Sequence, residues 1–412
     1  MKRRGLAANS AFALAADLAG KSSTVAVTAV SARMLPTDRF ALLATCLAAA
    51  ALLTSVLDAG AQTLLTRDGA RSADARGSLL RALALGRLPF AAAGLLAAVL
   101  VGTALHRPLE AVLTFALSLA YATGMSLTGV LRAAQDLRPE AEWKLVNGVL
   151  SVAAVVPAVL YRPTAATVLG ALTAAAAISL CLLVPASRSA ARFGAAASAR
   201  RALRSAIPLG LLALATIAYY RSGVLALSLV GSPSDTAAFA IASNVAFGLL
   251  AVPNAVTTGL LPRLSAETSE TRRVAVARRA LAWTLVLSAA LVLATATIGP
   301  SLLGLVFGAR YSAAATPLVL LGVGVLLISA SGVLGTLLVC VRRLWPLGAQ
   351  VGVSLVVNVA ALAVLVPPLG ASGAALATVA CEAAALAFLG AFVWRILPGL
   401  VQLPPRLATE RP

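Results

Sequence analysis

The chain is short of charge, of aromatic residues and of the side chains that do enzyme chemistry. Of its 412 residues only 11% are charged and 5% aromatic, and His106 is the one histidine. A soluble globular chain carries about 25% charged residues, so 33 basic and 14 acidic side chains cannot cover a water-facing surface of this size. A soluble enzyme, a disordered tail and a fibrous protein are excluded on that ground. His106 falls in a short loop without a metal-ligating set around it, and any Ser/His/Asp arrangement would have to use it. Cys46, Cys181, Cys340 and Cys381 lie in apolar runs and read as small buried hydrophobes rather than as disulfides or metal ligands. No cofactor and no metal are expected, and the chain is not read as an enzyme. The short loops on one side also leave little room for the acidic groups of a membrane-embedded glycosyltransferase.

What is abundant is apolar sequence, 60% of the chain with a mean hydropathy of +0.95. A bilayer core of about 30 Å needs roughly 20 apolar residues as a helix. Twelve stretches qualify: 8–30, 40–64, 83–105, 109–131, 145–161, 164–184, 207–230, 236–261, 281–305, 317–339, 347–366 and 372–393. They show no period-2 alternation and are too long for barrel strands of about 9–11 residues. Backbone polar groups in lipid must be satisfied within the segment, so each stretch is predicted as a helix. The fold class is therefore an all-α polytopic membrane protein. The stretch 145–161, which contains Pro157, is the weakest of the twelve. Lys2-Arg3-Arg4 looks like the start of a signal peptide. Asp17 and Lys21 interrupt the apolar run that follows, however, and no small-residue cleavage site stands at the usual distance, so a retained first span is expected.

Basic residues collect on the cytoplasmic side of a membrane. With twelve spans, 25 of the 33 basic residues fall on the side of the two termini. Arg33, Arg39, Arg107, Arg162 and Arg310 fall on the other, while Lys21, Arg87 and Arg221 fall inside spans. Both termini are therefore expected in the cytoplasm; the Ala/Arg-rich usage points to a GC-rich bacterial genome, so the membrane expected is a bacterial inner membrane. The basic loops lack interleaved aromatics and any binding motif, so nucleic acid is not a partner and anionic membrane lipid is. The longest polar interruption, 188–205, divides the chain into residues 1–198 and 199–412, six spans each. An even number gives both halves the same direction, as in parallel repeats. A shift of 196 places Arg67 on Arg263 and Asp58 on Asn254.

Ionisable groups inside spans are costly and normally face a cavity or a partner. Asp17 and Lys21, at i and i+4, share one face of the first helix. They read either as a self-neutralising pair or as a cavity-lining pair that binds a head group. Arg221, after Tyr219 and Tyr220, either snorkels outward or holds a phosphate through two parallel hydrogen bonds. The tyrosines fit a sugar-binding wall or an interface belt. Arg87 stands near the cytoplasmic end of the third span, where snorkelling is its structural reading, and Asp58 stands near that end of the second. Asp58 has two expected roles, pairing with Arg67 or capping a break near Gly60. Glu382, at mid-depth in the last span, reads as a proton carrier or a structural hydrogen-bonder. Asn147, Asn244, Asn254 and Asn358 are expected to bond between helices. The run from Ala15 to Ser22 meets a relaxed phosphate-loop pattern, but it lies inside a span without a preceding strand or glycine-rich turn.

Six short motifs occur in order along the chain: Asn9 with Ala32-Arg33-Met34-Leu35-Pro36 and Phe40; Leu57-Asp58-Ala59-Gly60; Ala206-Ile207-Pro208-Leu209-Gly210 with Tyr219-Tyr220-Arg221; Pro262-Arg263-Leu264-Ser265; Phe307-Gly308-Ala309-Arg310-Tyr311 with Ala314; and Gly370-Ala371-Ser372-Gly373-Ala374-Ala375. Together they resemble the Wzx-type O-antigen and exopolysaccharide flippases of the MATE-like superfamily (multidrug, oligosaccharidyl-lipid and polysaccharide exporters). The sequence departs from that pattern at Gly223, where the family often has an acid two residues after the arginine, and in having twelve spans where some relatives have fourteen. The resemblance implies two six-helix lobes around a central cavity and alternating access. It also implies a polyprenyl-pyrophosphate-linked oligosaccharide as substrate, moved from the inner to the outer leaflet for polysaccharide (lipopolysaccharide) biosynthesis. On that reading Lys21, Arg221, Arg87, Tyr219 and Tyr220 bind substrate, and Asp17, Glu382 and Asp58 couple transport to an ion gradient. A monomer is expected, with a glycan polymerase or glycosyltransferases as partners. An exporter of small molecules driven by cations, or a non-transporting member of a glycan assembly complex, are the competing expectations.

Overall fold

The computed structural model describes residues 6–192, 198–251, 253–254, 260, 264, 269–341, 343 and 345–396, without the side chains of 6–19, 270 and 396. Of the basic set, Lys2, Arg3, Arg4, Arg263, Arg342, Arg406 and Arg411 lie outside the described residues, and so do Pro262 and Ser265 of the fourth motif. The described chain is helical. Its elements are α1 Leu6–Met34, α2 Thr37–Asp58, α3 Ala61–Asp68, α4 Ala73–Ala104, α5 Pro108–Ala133, α6 Arg138–Tyr161, α7 Ala165–Ala190, α8 Ala199–Val230 and α9 Pro233–Leu249. Then come α10 Glu270–Thr297, α11 Gly299–Phe307, α12 Ala315–Cys340 and α13 Trp345–Ile396. Short 3-10 turns stand at Gly69–Arg71 and Ala309–Ala314. Among the described residues nine helices are long and apolar enough to cross a membrane: α2, α4 to α8, α10, Ala309–Cys340 and α13. The protein is a multi-pass membrane protein.

Local chemistry sets the ends of these helices. Ser72 Oγ accepts from the Ala75 N–H at 3.0 Å at the head of α4. Thr164 and Thr167 form a reciprocal capping box on α7, and Ser232 Oγ accepts from the Asp235 N–H at 3.1 Å before α9. Each satisfies an N–H that has no partner within its helix. The expected span 40–64 is broken, because Ala59 (φ 48°) and Gly60 (φ 80°) turn the chain left-handed between α2 and α3. The expected span 281–305 is also two helices, with Ile298 between α10 and α11 and Pro300 in the first turn of α11, where a missing N–H costs nothing. Pro157 is accommodated inside α6, which begins at Arg138, seven residues before the expected start of that span.

The 52 residues of α13 are one helix only in name. Gly370 (φ 53°) interrupts the helical backbone. Across it Cys381 Sγ lies 3.1 Å from the Ser354 carbonyl oxygen, and the Trp345 and Phe392 rings meet at 5.1 Å. Residues 345–369 and 371–396 therefore run antiparallel. The Ala371 N–H at the turn donates to Asp235 Oδ1 at 3.2 Å.

The buried apolar residues separate by level. One cluster joins both halves of the chain and includes Ala32, Leu35, Phe40, Leu169, Phe239, Phe307, Tyr311 and Ala374. These residues lie beside the connections after α1, α6, α8 and α11 and the turn of α13. At the opposite ends of the helices there are two separate clusters. One holds Leu64, Leu83, Leu131 and Leu183 together with Ala202 and Ala206 of α8. The other holds Leu260, Leu264, Leu337, Leu389 and Val393.

Candidate functional site

Two polar centres sit inside the apolar bundle. In the first half, Asp58 closes α2 and is buried, 6% exposed. Its Oδ1 accepts from the Gln62 N–H at 3.2 Å, so it caps α3 across the Ala59–Gly60 break. Its charge partner is Arg87 on α4, with Nη2 at 3.8 Å. Arg87 also donates to the Ala122 carbonyl at 3.2 Å and to Ser126 Oγ at 2.8 Å on α5. Gln62 Nε2 donates to Thr128 Oγ1 at 2.9 Å. The cap expected of Asp58 is present. The alternative partner, Arg67, instead bonds Asp68 at 2.9 Å, and those hydrogen bonds hold the Asp68 carboxyl below its usual range. Arg87 points into the bundle and does not snorkel. Farther along, Trp143 Nε1 donates to Ser179 Oγ at 2.9 Å, and Ser179 Oγ donates to Asn147 Oδ1 at 3.2 Å.

The second centre lies between α8, α12 and the two arms of α13. Tyr219 Oη donates to Glu382 Oε1 at 2.5 Å, and Glu382 is 5% exposed. Ser222 Oγ donates to Asn358 Oδ1 at 2.5 Å. The Tyr219 and Tyr220 rings lie 4.9 Å apart, and Tyr220 meets Phe247 edge-on at 5.1 Å. A cavity of about 260 Å³ opens here, with Tyr219, Tyr220, Ser331, Gln350, Ser354 and Glu382 in its wall. The Ser331 hydroxyl is buried without a hydrogen-bond partner among the described residues. A buried polar atom left unpaired is costly, and here it faces space that a ligand can fill.

Arg221 is half-buried on α8, between Tyr220 and Ser222. Among the described residues it makes no hydrogen bond and no ion pair. Glu382 is engaged with Tyr219, and Gly223 stands where the expected pattern has an acid. Lys21 is half-buried on α1, and it has a partner. Asp17 lies on the same helix, and its side chain is outside the described residues. Of the eight expected site residues, Tyr219, Tyr220 and Glu382 come together at the cavity, Arg221 follows them on α8 outside its wall, Asp58 and Arg87 come together elsewhere, and Asp17 and Lys21 stand on α1. Asn147 and Asn358 bond between helices, and Asn244 Nδ2 approaches Thr28 Oγ1 at 3.4 Å. Sequence reasoning missed Ser331 and Gln350, because serine is common throughout and Gln350 sits at the end of an apolar run.

A family model described as "Polysaccharide biosynthesis protein" matches residues 6–268. No curated protein sequence matches the chain. Among solved structures it is similar to the lipid II flippase MurJ in an inward closed conformation, at 12% identity and a TM-score of 0.73, over 93% of this chain and 87% of that one. It is similar to the MATE multidrug transporter DinF-BH at 14% identity and 0.67, over 97% and 96%. It is also similar to the eukaryotic MATE transporter AtDTX14 at 14% identity and 0.65, over 94% and 95%. At these identities the likeness carries the fold and nothing more.

Proposed function

The chain belongs to the polysaccharide biosynthesis protein family, and from that premise we propose that it is a flippase for a polyprenyl-pyrophosphate-linked oligosaccharide. The substrate crosses from the inner to the outer leaflet of a bacterial inner membrane. The observation that carries this reading is Arg221, a permanent charge on a membrane helix with no counter-ion among the described residues. A guanidinium in that setting is kept for a ligand, and its planar donor fork matches the oxygens of a phosphate. The cavity is lined by the preceding Tyr219 and Tyr220 and not by Arg221 itself, and it suits one unit of the head group. Its 260 Å³ is below the roughly 300–1,000 Å³ of pockets that enclose a drug-sized ligand. The tyrosine faces, the Gln350 amide, the Ser331 hydroxyl and Glu382 offer stacking surfaces, donors and acceptors to a sugar.

Lys21 and Arg87 are the further cations of this proposal, and Asp17, Glu382 and Asp58 its ion-coupling groups. Arg87 and Asp58 hold each other in this conformation, so their part is to exchange partners when the halves move. Residues 1–198 and 199–412 act as two six-helix lobes of a twelve-span monomer with both termini in the cytoplasm, and they rock about the cavity. One cluster spans both halves at one end of the helices, whereas among the described residues the other end has two, and only the first turns of α8 cross from the second half into the first; that difference supports such a movement. A glycan polymerase or glycosyltransferases would supply and receive the substrate.

The test is Arg221→Ala in a strain whose own copy is deleted, with surface glycan as readout. Loss of a charge-assisted contact worth about 1.5–3 kcal/mol lowers surface polymer roughly ten-fold or more. Normal polymer at normal protein level contradicts the reading. The buried Glu382 favours one second reading, an exporter of organic cations. Efflux of such cations that is lost on Glu382→Gln or Asp17→Asn, with glycan unaffected, would put it first.

A further inference from the structure

Two arginines that the sequence places in loops on the poorly charged side do more than mark that side. Arg33 stands in the last turn of α1. Its Nε donates to the Val306 carbonyl at 2.8 Å and its Nη2 to the Leu305 carbonyl. Both acceptors lie in the last turn of α11, in the other half of the chain. Arg310 follows α11, and its Nη2 donates to the Leu35 carbonyl at 2.9 Å and to the Ala32 carbonyl, at the end of α1. The last carbonyls of a helix have no partner within it and carry the negative end of its dipole. Each arginine thus satisfies the free helix end beside the other. Arg310 also lies 5.1 Å over the Tyr311 ring, and Tyr311 meets Phe40 of α2 at 5.7 Å. Beneath the arginines Leu35, Phe40, Phe307 and Tyr311 are all at most 2% exposed.

We propose that Arg33 and Arg310 form a reciprocal latch that holds the two halves of the protein together at this face, and that transport toward the outer leaflet requires its release. The inference rests on the rocking movement proposed above. It adds where the movement is restrained and by what. The acceptors are carbonyls and not carboxylates, so no acid has to be protonated for the latch to open. An anion or solvent that competes for the guanidinium groups is enough. The latch is two-sided, and losing one arginine leaves the other in place.

The test uses the full-length protein in cells, with Cys46, Cys181, Cys340 and Cys381 replaced by alanine and Thr28→Cys as reporter. Thr28 is buried on α1, against Asn244 of the other half. A membrane-impermeant maleimide is applied from outside. With both arginines present the reporter is expected to label slowly. The pair Arg33→Gln and Arg310→Gln is expected to raise labelling at least five-fold, and each single change by less. Labelling that the double change leaves as it was overturns the latch. If the glutamine pair does not reach the membrane, Arg33→Lys with Arg310→Lys is read in the same way, since one ammonium group copies the planar fork poorly. Surface glycan in the same strains separates the two ideas. Glycan that depends on the protein while labelling stays fixed removes the latch alone. Faster labelling in a protein on which no glycan depends removes the flippase reading and leaves the latch.

Discussion

At the scale of single residues, a buried charge in this chain is either held or kept waiting. Asp58 and Arg87 are held. The carboxylate is shared between a helix cap and a guanidinium, and the guanidinium is shared among that acid, a carbonyl and a hydroxyl. Removing one partner of a buried pair strands the other and costs about 3–5 kcal/mol. Arg87→Ala is therefore expected to lower the melting temperature of the purified protein clearly, whatever it does to transport, and an unchanged melting temperature would show that the pair contributes little. Among the described residues Arg221 has no such partner, so Arg221→Ala should leave stability nearly unchanged and act on function alone. The sequence showed that both arginines were costly where they stood. It could not show which was paired. That depends on how α4 and α8 are rotated, and apolar residues on every face of these helices leave no pattern to read the rotation from.

At the scale of elements, the halves meet backbone against backbone at the break after α2. A Cβ on Gly60 would lie 2.5 Å from the Gly210 nitrogen, and one on Gly210 would lie 2.7 Å from the Gly60 nitrogen. The break after α2 thus presses on α8 with no side chain between them. The first turns of α8 then pack in the core of the first half through Ala202 and Ala206, while its later turns bond the second half through Tyr219 and Ser222. One helix links the two. Gly60→Ala must accept both a left-handed backbone and a collision with α8. Overpacking alone costs about 1–3 kcal/mol, so the variant is expected to lose melting temperature and transport together. Retained stability would mean that α8 can shift away. All twelve apolar stretches contain helix in the structure, because length and hydropathy are what the bilayer demands. The breaks were less legible. The one at Gly60 carried a glycine signal, whereas the one at Ile298 was hidden within an unbroken apolar run.

At the scale of the whole molecule, the arginine asymmetry and the buried clusters agree in how they divide the helix ends. The connections beside Arg33, Arg162 and Arg310 border the cluster shared by both halves. The basic connections border the two separate ones. The expected alternation was drawn from the sequence because charge is read loop by loop. The bonds of Arg33 and Arg310 to opposing helix ends were not, since they join residues more than 270 positions apart. The central claim is that this molecule carries a pyrophosphate-linked glycan across the bilayer. It is tested most directly by flipping in liposomes that contain only the purified protein and a fluorescent polyprenyl-pyrophosphate oligosaccharide, with an added glycosidase reporting the sugar that reaches the outer leaflet. The account predicts cleavage of the inner-leaflet pool that depends on the protein and slows about ten-fold in Arg221→Ala, the size expected for a loss of roughly 1.4 kcal/mol. Cleavage that stops at the outer-leaflet pool, as in liposomes without protein, would contradict it.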